Sequence, residues 1–141
     1  MQRSPLELIN AKTILTPYSV WHLVEHIRIA QWDILEFIRD PLHISPEYPA
    51  GYRPDAYAKA EEHMWKDSVL RVKSDLASLI KIAVDEKNDL FAPIAHAPEY
   101  TIFRELLVVA DHNAYHTGEI ALLRQELNAW PKDHPYLTGQ G

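Results

Sequence analysis

Apolar residues recur along the chain at helical spacing, and prolines mark where each stretch stops. Pro5, Pro17, Pro41, Pro46, Pro49, Pro54, Pro93, Pro98, Pro131 and Pro135 leave three long proline-free windows, 18–40, 55–92 and 99–130. Each window can hold a helix, because proline lacks the amide proton and clashes with the preceding helical turn. A short first helix is expected from Ser4 to about Ala11, with Ser4 as N-cap and Pro5 at the first helical position. The second runs from about Pro17 to Arg39, with Val20, Leu23, Ile27, Ala30, Ile34, Phe37 and Ile38 as its inward stripe. Residues 40–54 form a turn-rich connection in which Tyr48 and Tyr52 either pack the loop down or cover a pocket mouth. The third helix is expected from about Asp55 to Asp85, with Tyr57, Ala60, Met64, Val72, Leu76, Leu79 and Ala83 inward and His63 on the surface. The fourth runs from an N-cap at Thr101 to about Asn128, stopped by Trp130-Pro131, with Ile102, Val109, Ile120, Leu123 and Leu127 inward. No strand alternation or hairpin signal competes. The pattern predicts an all-α protein, a four-helix bundle with a shortened N-terminal helix, with residues 1–141 as one domain.

Polar residues interrupt two of these stripes. His112 and His116 fall on or beside the inward face of the fourth helix, together with Glu105 and Glu119, and polar groups on a core stripe are costly unless paired or ligated. Residues four apart on a helix are offset by only ~40° and rise ~6 Å, so His112 and His116 project from one face and can hold one metal ion. A third ligand must come from elsewhere. Ser19-Val20-Trp21-His22-Leu23-Val24-Glu25-His26 carries a second pair at the same spacing, His22 and His26, on the margin of the second helix's stripe. Eight His in 141 residues give about 0.4 such pairs by chance, so two are suggestive where one is weak. Surface or satisfied core histidines are the competing reading.

Composition narrows the chemistry. Hydrophobic residues at 47% and charged at 24% are ordinary for a globular chain. A net charge of −6 with no Lys/Arg cluster argues against nucleic acid as a partner, since that affinity comes mainly from basic residues releasing counterions. The chain has no cysteine, which removes thiolate ligands, disulfides and a Cys nucleophile and fits a cytoplasmic setting. No run of 18 uncharged apolar residues is present, so neither secretion nor membrane spanning is expected.

Two named metal motifs fail. A zincin needs Glu directly after the first His of its pair, where Asn113 stands. A di-iron carboxylate bundle needs Glu three residues before each ligand His, where Val109, Asn113 and Leu23 stand. What remains is a set of neutral imidazoles with open coordination positions, suited to Zn²⁺, Ni²⁺ or Fe²⁺ and poorly suited to Mg²⁺ or Ca²⁺. Glu119, one turn beyond His116, is the nearest carboxylate to orient a ligand, whereas Glu105 and Asp33 lie two turns from theirs. Gly118 inside a helix costs up to ~1 kcal/mol relative to Ala, which close packing or room beside a metal would justify.

Pro17-Tyr18-Ser19-Val20-Trp21-His22-Leu23-Val24-Glu25-His26, with Asp111-His112-Asn113-Ala114-Tyr115-His116-Thr117-Gly118, resembles the DinB/YfiT-like family of metal-dependent enzymes. The likeness covers about residues 17–131 and rests on the Trp-x3-Glu-His segment, the Asp-His-x3-His-x-Gly segment and their separation. It implies a four-helix bundle, frequent dimers, and nickel or zinc held by one His of the second helix and a His-x3-His pair of the fourth, here His26, His112 and His116. His22 is outside that pattern. Relatives include thiol-dependent transferases and isomerases. The chain departs from the family in its short first helix, which a partner subunit would have to complete, and in Glu119, where Gln is common.

These readings lead to a metal-dependent hydrolase or thiol-dependent transferase acting on a small molecule, with a low-molecular-weight thiol as co-substrate and a homodimer as the assembly. The alternative is a non-catalytic metal-binding or stress-response bundle with a structural or vestigial ion. Haem between His26 and His112 or His116 is a third option. Tyr115, Glu25 and Glu119 are the candidate proton-transfer groups, and spacing does not choose among them.

Overall fold

The computed structural model describes residues 3–133, so Pro135 lies outside the described residues. The chain is mostly helical: α1 (Pro5–Asn10), α2 (Val20–Arg39), α3 (Glu62–Val84) and α4 (Ile102–Glu126), with a 3₁₀ turn at Ala50–Tyr52 and two short strands, β1 (Pro93–Ile94) and β2 (Ala97–Thr101). No helix among the described residues is long and apolar enough to cross a membrane.

Local chemistry sets the helix ends. Ser4 and Glu7 form a capping box on α1, in which the Ser4 amide donates to Glu7 Oε2 at 2.6 Å and the Glu7 amide to Ser4 Oγ at 3.2 Å. Ser19 caps α2 by accepting from the His22 amide, and Thr101 caps α4 by accepting from the Arg104 amide. The third helix starts at Glu62 rather than near Asp55. Asp55 instead organises a turn, its Oδ1 taking the Tyr57 amide at 2.9 Å and its carbonyl the Ala58 amide. Asn10 then pins Ala60 through both main-chain groups, at 2.7 and 2.9 Å. Tyr57, expected inward, is therefore 89% exposed, and Leu76 also faces outward.

The strands are a correction to the sequence reading. β1 and β2 pair antiparallel between α3 and α4, with Ile94 opposite Ala97. Strands of two and five residues, two of them prolines, are too short to carry an alternating pattern.

Two apolar clusters hold the helices together, and their membership gives the topology. One joins Leu35 and Ile38 of α2 to Leu79 of α3, Val109 of α4 and Ile94 of β1. The other joins Val20 and Leu23 of α2 to Leu123 of α4, with Trp65 of α3 packed against it. The C-terminal half of α2 thus meets the C-terminal half of α3 and the N-terminal half of α4. Helices α2 and α3 run parallel and α4 runs against both, so residues 40–61 return along the length of the molecule. Leu23, Leu35, Leu79 and Leu123 are each no more than 2% exposed, and each contributes roughly 1.5–3 kcal/mol by burial. Helix α1 buries no residue, so apart from Ile94 of β1 the two clusters are built by the three long helices.

Between the two clusters lies a polar layer. Trp21 Nε1 donates to Ser68 Oγ at 3.1 Å, Gln31 Nε2 to the Val72 carbonyl at 2.8 Å, and Asn113 Nδ2 to Gln31 Oε1 at 2.9 Å. His26, His112 and His116 occupy the same stretch of α2 and α4.

Candidate metal centre

The antiparallel crossing of α2 and α4 carries His26 to the His112/His116 face. The ring centroids form a near-equilateral triangle: 4.7 Å from His26 to His112, 4.5 Å from His26 to His116 and 4.4 Å from His112 to His116. Each residue offers one ring nitrogen, and these atoms lie within 4.8 Å of one another. The His26 and His112 Nε2 atoms are 2.9 Å apart. Two nitrogens each ~2.0–2.1 Å from one tetrahedral ion lie about 3.4 Å apart, so this pair would have to separate by about half an ångström to share an ion. The three side chains could hold a metal.

Two of the three rings have their other nitrogen occupied in the way ligand histidines require. His26 Nδ1 donates to the Tyr52 carbonyl at 2.9 Å, and His116 Nδ1 donates to Glu119 Oε1 at 2.6 Å. Each contact fixes the tautomer that leaves that ring's lone pair on Nε2. Burial lowers the pKa of His26, against the pull of the Tyr52 carbonyl. Burial, with the charges of His116 and His26, brings His112 down to about 4. The neutral imidazole, which is the ligand form, is favoured at both positions.

Tyr52 does more than pack its loop. Its hydroxyl donates to Asp33 Oδ2 at 2.6 Å, and His43 Nε2 lies 2.7 Å from Asp33 Oδ1. Burial and the Asp33 carboxylate push the Tyr52 phenol up to about 12, so it remains a donor. Asp33 on α2 thereby fixes Tyr52, whose carbonyl orients His26 from the same helix. The three histidines line one side of a cleft of about 890 Å³, and Tyr18, Tyr48, Tyr52, Arg53 and Asp55 line the rest. Tyr48 stands 82% exposed at this cleft, its ring 6.0 Å from that of Tyr52.

Comparisons of the chain with protein-family models, with curated proteins and with solved structures find no match. The site is interpreted from its own geometry.

His22 is not part of the cluster. Its Nδ1 lies 2.7 Å from Ser19 Oγ at the start of α2 and its Nε2 2.8 Å from the Asp55 carbonyl, so both nitrogens of this 1% exposed ring are used, one at the helix cap and one in tying α2 to the connection over residues 40–61. Glu119 is the proton-transfer candidate that is hydrogen-bonded to a histidine of the cluster. Glu25 is paired with Arg28, and Tyr115 is 68% exposed with its ring 5.0 Å from His116. Glu105 is buried and paired with Arg104 at 2.7 Å. Among the described residues a Cβ added at Gly118 would meet nothing within 4 Å, so close packing against them does not explain that glycine. The 2.9 Å between the His26 and His112 nitrogens leaves no room for a porphyrin plane between them, which removes that form of the haem option. The Asp33–Tyr52–His26 relay was missed in the sequence because Tyr52 acts through its main chain, which no side-chain spacing reveals.

Proposed function

We propose that the chain is a metal-dependent enzyme of the DinB/YfiT-like type, with one divalent ion held by His26, His112 and His116. The observation that carries this reading is the convergence of three ring nitrogens from two helices, two of those rings already oriented by Tyr52 and Glu119, on the wall of an open cleft. Three neutral nitrogen ligands suit Zn²⁺ or Ni²⁺ first and Fe²⁺ after them. Such an ion supplies a Lewis acid that keeps its full double charge. A closed structural site has four protein ligands, whereas three beside a cleft leave room for a substrate, which favours catalysis over a purely structural ion.

The chain's own residues orient this site. Tyr52 and Glu119 hold two of the imidazoles in one tautomer, and Glu119, 30% exposed in its side chain, reaches the cluster through His116. The reaction class is hydrolysis of a small molecule or transfer to or from a low-molecular-weight thiol, and a homodimer is the proposed assembly. Elemental analysis of wild type and of His26→Ala, His112→Ala and His116→Ala tests the reading. One ion per chain in wild type and loss in each variant supports it, and a folded wild type that takes up no stoichiometric divalent ion refutes it.

A further inference from the structure

The residue following Tyr52 is the cation of the cleft. Arg53 is half-buried and lines the same cavity as the three histidines. Its guanidinium carbon lies 4.1 Å from the centre of the Tyr18 ring. Arg28, Arg39, Arg71 and Arg104 each pair with a carboxylate. Among the described residues, no carboxylate pairs with Arg53. Asp55 is the one acid lining the cleft, and it is turned to its own loop, accepting from the Tyr57 amide.

This arrangement leaves a particular part of Arg53 available. The guanidinium lies over the Tyr18 ring, and among the described residues its N–H donors make no hydrogen bond. A planar fork of donors matches a carboxylate bidentately, and a half-buried cation without a counter-charge is stabilised by whatever anion enters. On a chain of net charge −6 this is a local positive site.

We propose that Arg53 is the specificity determinant of the cleft and selects a small organic substrate or thiol co-substrate bearing a carboxylate, which it grips while the reacting end of the molecule lies at the histidines. The location of that reacting end rests on the metal reading; the carboxylate grip does not. Arg53 therefore has a test of its own.

The probe is 3-mercaptopropionate, with 2-mercaptoethanol as the thiol lacking the carboxylate. Both are titrated into isotope-labelled protein, metal-free and zinc-loaded, while the Arg53 side-chain N–H and the backbone amides of 53, 55 and 56 are followed by NMR. The expected result is a saturable shift at Arg53 with 3-mercaptopropionate in both forms and none with 2-mercaptoethanol. Arg53→Gln should weaken 3-mercaptopropionate binding about 10-fold and leave 2-mercaptoethanol unchanged, with Arg53→Lys intermediate. Equal response to the two thiols, or full affinity in Arg53→Gln, would overturn the proposal. If the protein takes up no zinc, the metal reading fails while the metal-free titration still decides the role of Arg53.

Discussion

Replacing Glu119 by Leu removes the carboxylate that fixes His116, and the geometry sets the size of the effect. The contact is short, 2.6 Å, between an imidazole N–H and a charged acceptor. Hydrogen bonds to charged groups are worth about 1.5–3 kcal/mol. Glu119 is 30% exposed in its side chain, so water can replace part of what is lost, which brings the expected penalty to about 1.4 kcal/mol or somewhat above. That is about one factor of ten in affinity, at the lower edge of the 10–100-fold losses typical when a ligand's supporting partner is removed. Glu119→Gln keeps an acceptor without the charge and should fall between Leu and wild type. The assay is competition for Zn²⁺ against a chelator of known affinity, at constant pH, with circular dichroism to verify that the variants fold. Unchanged zinc affinity in Glu119→Leu would mean that His116 does not need this partner, and the tautomer argument would be wrong.

Other outcomes follow from neighbouring residues. His22→Ala removes the partner of the Asp55 carbonyl and opens a void where a 1% exposed ring stood, so it should destabilise the protein by about 2–4 kcal/mol in urea unfolding while metal content stays at wild-type level. A fall in bound metal with the fold intact would place His22 in the site after all. Gly118→Ala should raise stability by up to ~1 kcal/mol, because a helical Cβ there meets none of the described residues within 4 Å. A lower melting temperature, or dissociation of an oligomer, would show that another chain covers that position. In the metal-free protein the depressed pKa values of His26 and His112 mean that the unfolded state binds more protons below the ordinary histidine value. Stability from these two groups is fully present above about pH 6.5 and is lost as pH falls, for His112 down to about 4. His112→Ala should flatten that part of a melting-temperature profile, and an unchanged slope would contradict it.

Much of this was legible because it depends on local rules. Proline-free windows located the long helices, Thr101 announced the cap of α4, and a four-residue spacing put His112 and His116 together whatever the rest of the chain did. The family resemblance implied the convergence of His26 on them, and one-turn spacing pointed to the Glu119 contact with His116. What was not legible depends on partners far along the chain. Asn10 ties down Ala60, fifty residues away, which helps hold the start of α3 beyond the Asp55 turn. The Asp55 carbonyl takes up His22, which turns a plausible ligand into a brace. Leu35 and Trp21 are buried outside the apolar stripe read for α2, because that helix is covered by α3 on one side and α4 on the other. Tyr52 works through a carbonyl every residue possesses, so only its hydroxyl contact to Asp33 marks it out.

The central claim, one ion shared by His26, His112 and His116, is addressed most directly by X-ray absorption spectroscopy of the zinc-loaded protein. Three imidazole nitrogens at ~2.0–2.1 Å from the metal, falling to two in His26→Ala, are the expected result. A coordination shell with fewer than three imidazoles in wild type, or one that His26→Ala leaves untouched, would contradict it.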